Sequence, residues 1–373
     1  MDTSRGQRTG LMAHKPGLTR DELDQTRRAL EANGGNVRAT AVALGISRRA
    51  MQHRMAKLRK FTAPLLPSPI RDLDELIADR IKESRRSKNA DDARDLIKIS
   101  VNIDGPFGLL IFGDPHVDDA GCDFETLAKH RQLAIDHPFI LAGNIGDNLN
   151  NWVGRLGQLY AHQTTTAAEG WKLVEWLIRP INWLFLIGGN HDLWMGNGDP
   201  LQWIASQAGS IYEPHGVRMA LKQPCGTVTR IAARHDYPGH SIYHSLHGPK
   251  REALMGFRDH LIIAGHKHIG ASEQFVTPDG LVCQIVRVSG YKIVDAYAKQ
   301  LNLKKMLMHQ AALIIIDPRE PDTSAGRCWC APTVERGVMF LNALRADYEQ
   351  GTTNVSKRKP AAGGSKRVST GNT

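Results

Sequence analysis

A mixed α/β body preceded by a small all-α head is the fold class this sequence predicts. Short, continuous apolar runs closed by glycine or a polar turn recur between residues 109 and 316, the pattern of strands buried on both faces. Ahead of them, residues 19–60 hold three short segments with helix-capping signals and helical apolar spacing. Length sets the scale, since 373 residues with 41% hydrophobic content supply one large core and one small domain.

Residues 1–18 are polar and expected to be a flexible N-terminus. Thr19-Arg20-Asp21-Glu22 is a capping box opening a helix with Leu23, Thr26, Ala29 and Leu30 on one face. Gly34-Gly35 breaks that helix, Asn36 caps a second carrying Ala41 and Leu44, and Gly45-Ile46 turns into Ser47, which caps a third. This third helix, Arg48 to Lys60, is basic on one face and apolar on the other. The pattern G-N-x-x-x-x-A-x-x-L-G-I-S-R followed by a basic amphipathic helix resembles the Fis-type helix-turn-helix of bacterial enhancer-binding regulators. That resemblance implies DNA as a partner of residues 19–60, with the last helix in the major groove and Arg48, Arg49, Gln52, His53 and Arg54 reaching base edges or flanking phosphates. A three-helix docking or dimerisation module shares the hydrophobic pattern and stays open as an alternative.

Residues 61–100 read as a linker and a charged helix. Three prolines between Phe61 and Pro69 exclude continuous helix, and residues 71–98 space Leu73, Leu76, Ile77 and Ile81 for packing. Lever between domains and dimer contact are both open for that helix. A homodimer is accordingly open as a partner state, since a symmetric operator would require one.

In the body, residues 101–350, each apolar run delivers a polar block. Leu109 to Phe112 precedes Asp114-Pro115-His116, and Pro138 to Ala142 precedes Gly146-Asp147. Trp183 to Ile187 precedes Gly189-Asn190-His191-Asp192, and Leu261 to Ala264 precedes Gly265-His266-Lys267-His268. His235 closes another run, with His240, His244 and His247 close behind it as alternative ligands. Carboxylate, imidazole and amide carbonyl donors suit Mn²⁺, Fe, Zn²⁺ or Ni²⁺, and two close cations need one shared carboxylate, for which Asp147 is the natural bridge. The Trp152 to Trp176 stretch has helical spacing and reads as core. Leu281 to Val288, Tyr291 to Val294 and Ala311 to Ile316 read as closing strands, and the Gly/Ser/Thr/Lys-rich residues 351–373 as a disordered basic tail.

The order D-x-H, G-D-x-x-N, G-N-H-D, lone His, G-H-x-H resembles the calcineurin-like metallophosphoesterases over roughly residues 105 to 295. The resemblance implies a double β-sandwich flanked by helices and two divalent metal ions, Mn²⁺ being the expected one. It implies Asp114, His116, Asp147 and His268 around one metal, and Asp147, Asn190, His235 and His266 around the other. His191 is then not a ligand but faces the substrate as general acid or phosphoryl donor. Asp192 is expected either to orient an imidazole as part of the catalytic group or to cap a helix.

Charge narrows the substrate. Residues 1–60 carry thirteen Lys/Arg against five Asp/Glu, and residues 351–373 five basic residues with no acidic one, so +10 minus +8 minus +5 leaves −3 for residues 61–350. Positive charge confined to the ends suits a hydrolase core tethered to a polyanion. The leading expectation is a metal-dependent DNA phosphodiesterase or nuclease, a domain pairing that resembles phage DNA-metabolism proteins. A phosphatase acting on protein or small molecules is one alternative; a DNA-binding regulator or adaptor with a structural esterase body is another. No run reaches the roughly eighteen apolar residues of a membrane span, so no membrane partner and a cytoplasmic location are expected. Five cysteines without a CxxC pair argue against a disulfide scaffold.

Overall fold

The computed structural model describes residues 17–61, 70–194, 199–241, 243–293 and 308–357. The expectations for residues 1–16, for the three prolines within 62–69 and for the chain beyond 357 lie outside the described residues. The chain divides into two compact units, Met1–Arg85 and Arg86–Thr373.

The first unit begins with α1 (Arg20–Ala32), where the Thr19 amide donates to Glu22 Oε2 at 2.8 Å and the Glu22 amide to Thr19 Oγ1 at 3.3 Å. Next come α2 (Val37–Ala43), capped by Asn36 Oδ1, and α3 (Arg48–Phe61), capped by Ser47 Oγ. Leu23, Met51 and Leu58 form the buried centre. Two buried threonines satisfy themselves locally, Thr26 donating to the Glu22 carbonyl at 2.6 Å and Thr40 to that of Asn36 at 2.8 Å. The charged helix α4 (Leu73–Arg94) has no buried residue.

The second unit holds two six-stranded sheets. We number its strands β1 (Ile97–Ser100), β2 (Phe107–Phe112), β3 (Ile140–Asn144), β4 (Trp183–Gly188), β5 (Ile211–Pro214), β6 (Gly216–Lys222), β7 (Val228–Arg234), β8 (Leu261–Ala264), β9 (Ala271–Val276), β10 (Val282–Arg287), β11 (Ala311–Ile316) and β12 (Cys328–Cys330). One sheet runs β12-β11-β2-β3-β4-β5 and the other β1-β6-β7-β8-β10-β9. Strands β2 to β5 are mutually parallel, whereas β11 and β12 close that sheet antiparallel.

Strand alternation explains why β2 is apolar throughout. Phe107, Leu109 and Ile111 pack with Met219, Ile231, Ile263 and Val286 of the other sheet, while Leu110 and Phe112 face Leu127 of α5 (Phe124–Asp136) and Val174 of α6 (Ala167–Ile178). Trp171 and Trp176 pack against that second core, in agreement with their helical spacing. The remaining described helices are α7 (Asn190–Leu193), α8 (Pro200–Gln207), α9 (His247–Met255) and α10 (Val334–Lys357). No helix among the described residues is long and apolar enough to cross a membrane.

The Leu261–Ala264 run lies in the second sheet, and the other three ligand-bearing runs of the sequence lie in the first. Three expectations need correction. Residues 97–100 do not continue the charged helix: Ile-Lys-Ile-Ser alternates with period two and pairs parallel with β6, so the second sheet starts inside the expected linker region. Tyr291 to Ile293 make only an isolated bridge, Lys292 with Cys122, because Gly290 at φ 76° turns the chain out of extended geometry. Finally, α10 runs on to Lys357, past Gly351, since adding a residue to an existing helix costs far less than nucleating one.

Candidate metal centre and DNA-binding head

Five polar loops from both sheets converge. Three follow β2, β3 and β4, and two follow β7 and β8. Their backbones are unusual: Asp114, His116, Asp147, His266 and His268 all adopt positive φ, between 41° and 68°. Such conformations cost a non-glycine residue about 1–3 kcal/mol and persist only where surrounding bonds impose them. Here the Asp114 amide donates to the Gly146 carbonyl at 3.0 Å and the His116 amide to that of Asp147 at 3.1 Å. The His266 amide donates to the Asp114 carboxylate at 2.9 Å. A Cβ on Gly265 would stand 2.5 Å from Asp114 Oδ2, and one on Gly189 would collide with Asp147, so both glycines are required for the loops to meet.

Three overlapping triads of ligand atoms result, each within 4.8 Å: Asp114, His116 and His268; His116, Asp147 and His191; Asp147, His235 and His266. Asp147 belongs to two of them. His235 Nε2 lies 3.1 Å from Asp147 Oδ2, 2.9 Å from Asn190 Oδ1 and 3.0 Å from His266 Nδ1. Its Nδ1 donates to the Ile145 carbonyl at 2.8 Å, so in the neutral ring Nε2 carries the lone pair. Among the described residues, His240, His244 and His247 enter no triad, and His244 instead lies 3.2 Å from Glu273. His116 is buried, and neither of its ring nitrogens has a hydrogen-bond partner among the described residues.

Burial pushes the Asp114 carboxyl up to about 7, against the pull of His235. Burial also raises Asp147, yet His235 beside it holds that group well below the carboxylate range. The His235 imidazole, despite burial, is held at about 10 by Asp147. Burial drives His116 well below the usual imidazole value, which leaves its nitrogens as lone-pair donors. Buried carboxylates, imidazoles and an amide carbonyl form a donor set that fits divalent cations of the Mn, Fe, Zn and Ni type, His235 having to give up its Nε2 proton to serve as a ligand.

His191 sits at the rim. Its Nδ1 donates to the Asn150 carbonyl, Nε2 stands 3.8 Å from Asp147 Oδ2, and the ring packs 4.1 Å from Trp194 and 5.3 Å from Trp152.

Asp192 takes the helix-capping role, the second of its two expected ones. Its carboxylate contacts no imidazole among the described hydrogen bonds; it accepts from the amides of Asp147 (2.8 Å), Asn148 (3.0 Å) and Gly189 (3.0 Å) and from Asn148 Nδ2 (3.2 Å). The reason is its place in the first turn of α7, where it caps the helix and reaches the Asp147 loop from the same oxygens. The sequence reading also passed over Asp118, Asp119, Arg287 and Lys292, which bond around these loops, Asp118, Asp119 and Lys292 to Asn150 of the G-D-x-x-N block and Arg287 to Asp236.

In the head, Gly45 at φ 65° makes the tight turn between α2 and α3, and Arg48, Arg49, Gln52 and His53 are exposed along α3. Residues 27–58 match the family model described as bacterial regulatory protein, Fis family. The head is a Fis-type helix-turn-helix.

Within this Fis-type head Arg54 is not where the sequence reading put it. Its side chain is only 12% exposed, lying 3.1 Å from Glu22 Oε1 and 3.2 Å from Thr26 Oγ1. Helical spacing turns residue 54 toward α1, so it ties two helices together rather than facing solvent with Arg48 and Arg49.

Solved structures similar to the chain include a conserved uncharacterized protein, a predicted phosphoesterase, from Streptococcus pneumoniae TIGR4 (11% identity, 62% of this chain and 100% of that one, TM-score 0.29). Others are the Pseudomonas putida nuclease MPE (18%, 60% and 87%, 0.28) and the calcineurin-like phosphoesterase YfkN from Bacillus subtilis (12%, 61% and 89%, 0.31). No curated protein matches.

Proposed function

We propose that the body is a dinuclear metal-dependent phosphoester hydrolase of the calcineurin-like type, and that its substrate is DNA brought to it by the Fis-type head. The observation that carries this reading is the convergence of Asp147 Oδ2, Asn190 Oδ1 and His266 Nδ1 on His235 Nε2, with Asp147 also in the triad that contains His116. Asp114, His116, Asp147 and His268 would hold one ion; Asp147, Asn190, His235 and His266 the other. Two divalent ions there, Mn²⁺ being the expected pair, would supply an activated water and neutralise charge on the phosphoryl oxygens.

The chain's own residues do the remaining work. His191, with Nδ1 committed to the Asn150 carbonyl, offers Nε2 toward the Asp147 side of the cleft, where a protonated imidazole would donate to a phosphoryl or leaving oxygen. Asp192 fixes the Asp147 loop by its backbone bonds. Arg48, Arg49, Gln52 and His53 would supply the phosphate and base contacts of the head.

The test is Mn²⁺-dependent hydrolysis of labelled single- and double-stranded DNA beside a nitrophenyl monoester and diester, with wild type and Asp147→Asn. DNA cleavage lost in the variant supports the nuclease reading. Monoester turnover without DNA cleavage would replace it by a DNA-tethered phosphatase, the reading favoured by the net −3 of residues 61–350.

A further inference from the structure

The six residues at the end of β10 and beyond, Arg287-Val288-Ser289-Gly290-Tyr291-Lys292, run beside the candidate metal centre and supply no member of its triads. Arg287 is fully buried. Its Nε donates to the Ser245 carbonyl at 3.1 Å, and its Nη1 to Asp236 Oδ1 at 3.1 Å and to the Gly265 carbonyl. Asp236 directly follows His235, and Gly265 directly precedes His266. One planar guanidinium therefore spans the neighbours of both histidines that face Asp147.

At the other end, the Lys292 side chain is 4% exposed, with Nζ 2.9 Å from Asp119 Oδ2 and 3.4 Å from Asn150 Oδ1. Asn150 is held from two further sides, its amide donating to Asp118 Oδ1 at 2.8 Å and its Nδ2 to Asp119 Oδ2 at 2.9 Å. The carbonyl of this immobilised residue is the one that receives His191 Nδ1–H. Between the two cations, Gly290 at φ 76° lets the backbone pass Asp114, where a Cβ would stand 2.7 Å from Asp114 Cβ.

Buried cations beside a pocket suited to metal cations oppose metal binding by charge, and burying them is itself costly unless they are paired. Asp236 and Asp119 provide the pairing. What the two side chains add to the site is geometry, in the way outer partners fix the orientation of metal-binding histidines.

We propose that residues 287–292 form a positioning segment, with Arg287 setting the His235 and His266 imidazoles of the second metal pocket and Lys292 setting His191 through Asn150. The inference rests on the metal reading given above and assigns the two ends separable effects.

The experiment uses the full chain with Mn²⁺ as probe, reading bound Mn²⁺ per chain by elemental analysis, the melting temperature without metal, and kcat and KM on a nitrophenyl diester. Arg287→Met is expected to weaken binding of one of two Mn²⁺ by about 10–100-fold. Lys292→Met is expected to keep both Mn²⁺ and KM but lower kcat at least tenfold, with Lys292→Arg recovering part of the loss. Should Arg287→Met not fold, Asp236→Ala removes the same contact from a partly exposed position and must meet the same expectation. Wild-type Mn²⁺ affinity in those variants, or wild-type kcat in Lys292→Met, overturns the proposal. A wild-type chain that binds no Mn²⁺ overturns the metal reading itself.

Discussion

His235 Nε2 lies 3.1 Å from Asp147 Oδ2 although 88 residues separate them and they follow strands of different sheets. The candidate site is thus a seam between two sheets, and its integrity depends on the core that joins them.

Metal removal tests that dependence. Chelation is expected to lower the melting temperature of the body and leave that of the head unchanged, because among the described residues only the body has buried carboxylates close to one another. Restoring Mn²⁺ to about 100 times its Kd should return roughly 2.7 kcal/mol. Calorimetry of the full chain, with and without chelator, checks this; a metal-independent body transition refutes it.

His191→Ala is expected to retain both metals while kcat falls about 10²–10⁴-fold, the usual contribution of a positioned acid. Loss of bound metal in this variant would make His191 a ligand, in keeping with its triad with His116 and Asp147.

Asp192→Ala is expected to destabilise the body by at least about 3 kcal/mol, since three backbone N–H donors lose their acceptor and buried unpaired donors cost about 1–3 kcal/mol each. Denaturant unfolding of the metal-free protein reads this directly. An unchanged midpoint would mean that water replaces the carboxylate.

In the head, Arg49→Ala is expected to weaken DNA binding and reduce the salt slope of affinity by about 1, as for one lost phosphate contact. Arg54→Ala should instead lower the head's melting temperature, because it removes the tie to Glu22 and Thr26. A reduced slope in Arg49→Ala alone and a lowered melting temperature in Arg54→Ala alone would confirm that the two arginines differ in kind.

The sequence disclosed those features that are local. A capping box at Thr19 and Glu22, the Gly45 turn, and polar blocks closing apolar runs each fit within a few residues, so elements and ligand types could be named in advance. Burial partners could not. Asp192 acts on Asp147 45 residues away, Arg54 on Glu22 32 residues away, and Arg287 on Asp236 51 residues away. A lone arginine ending an apolar strand carries no signal of what it will meet, and Ile97 to Ser100 is too short for its alternation to outweigh the helix before it.

The left-handed backbone at Asp114, His116, Asp147, His266 and His268 also bears on how this protein would respond to selection. Glycine relaxes each of those positions, so a library screened only for heat resistance would enrich changes that dismantle the cleft. Thermal screens of this chain would need a catalytic filter at every round, and sturdier lineages lacking one would drift toward inert scaffolds.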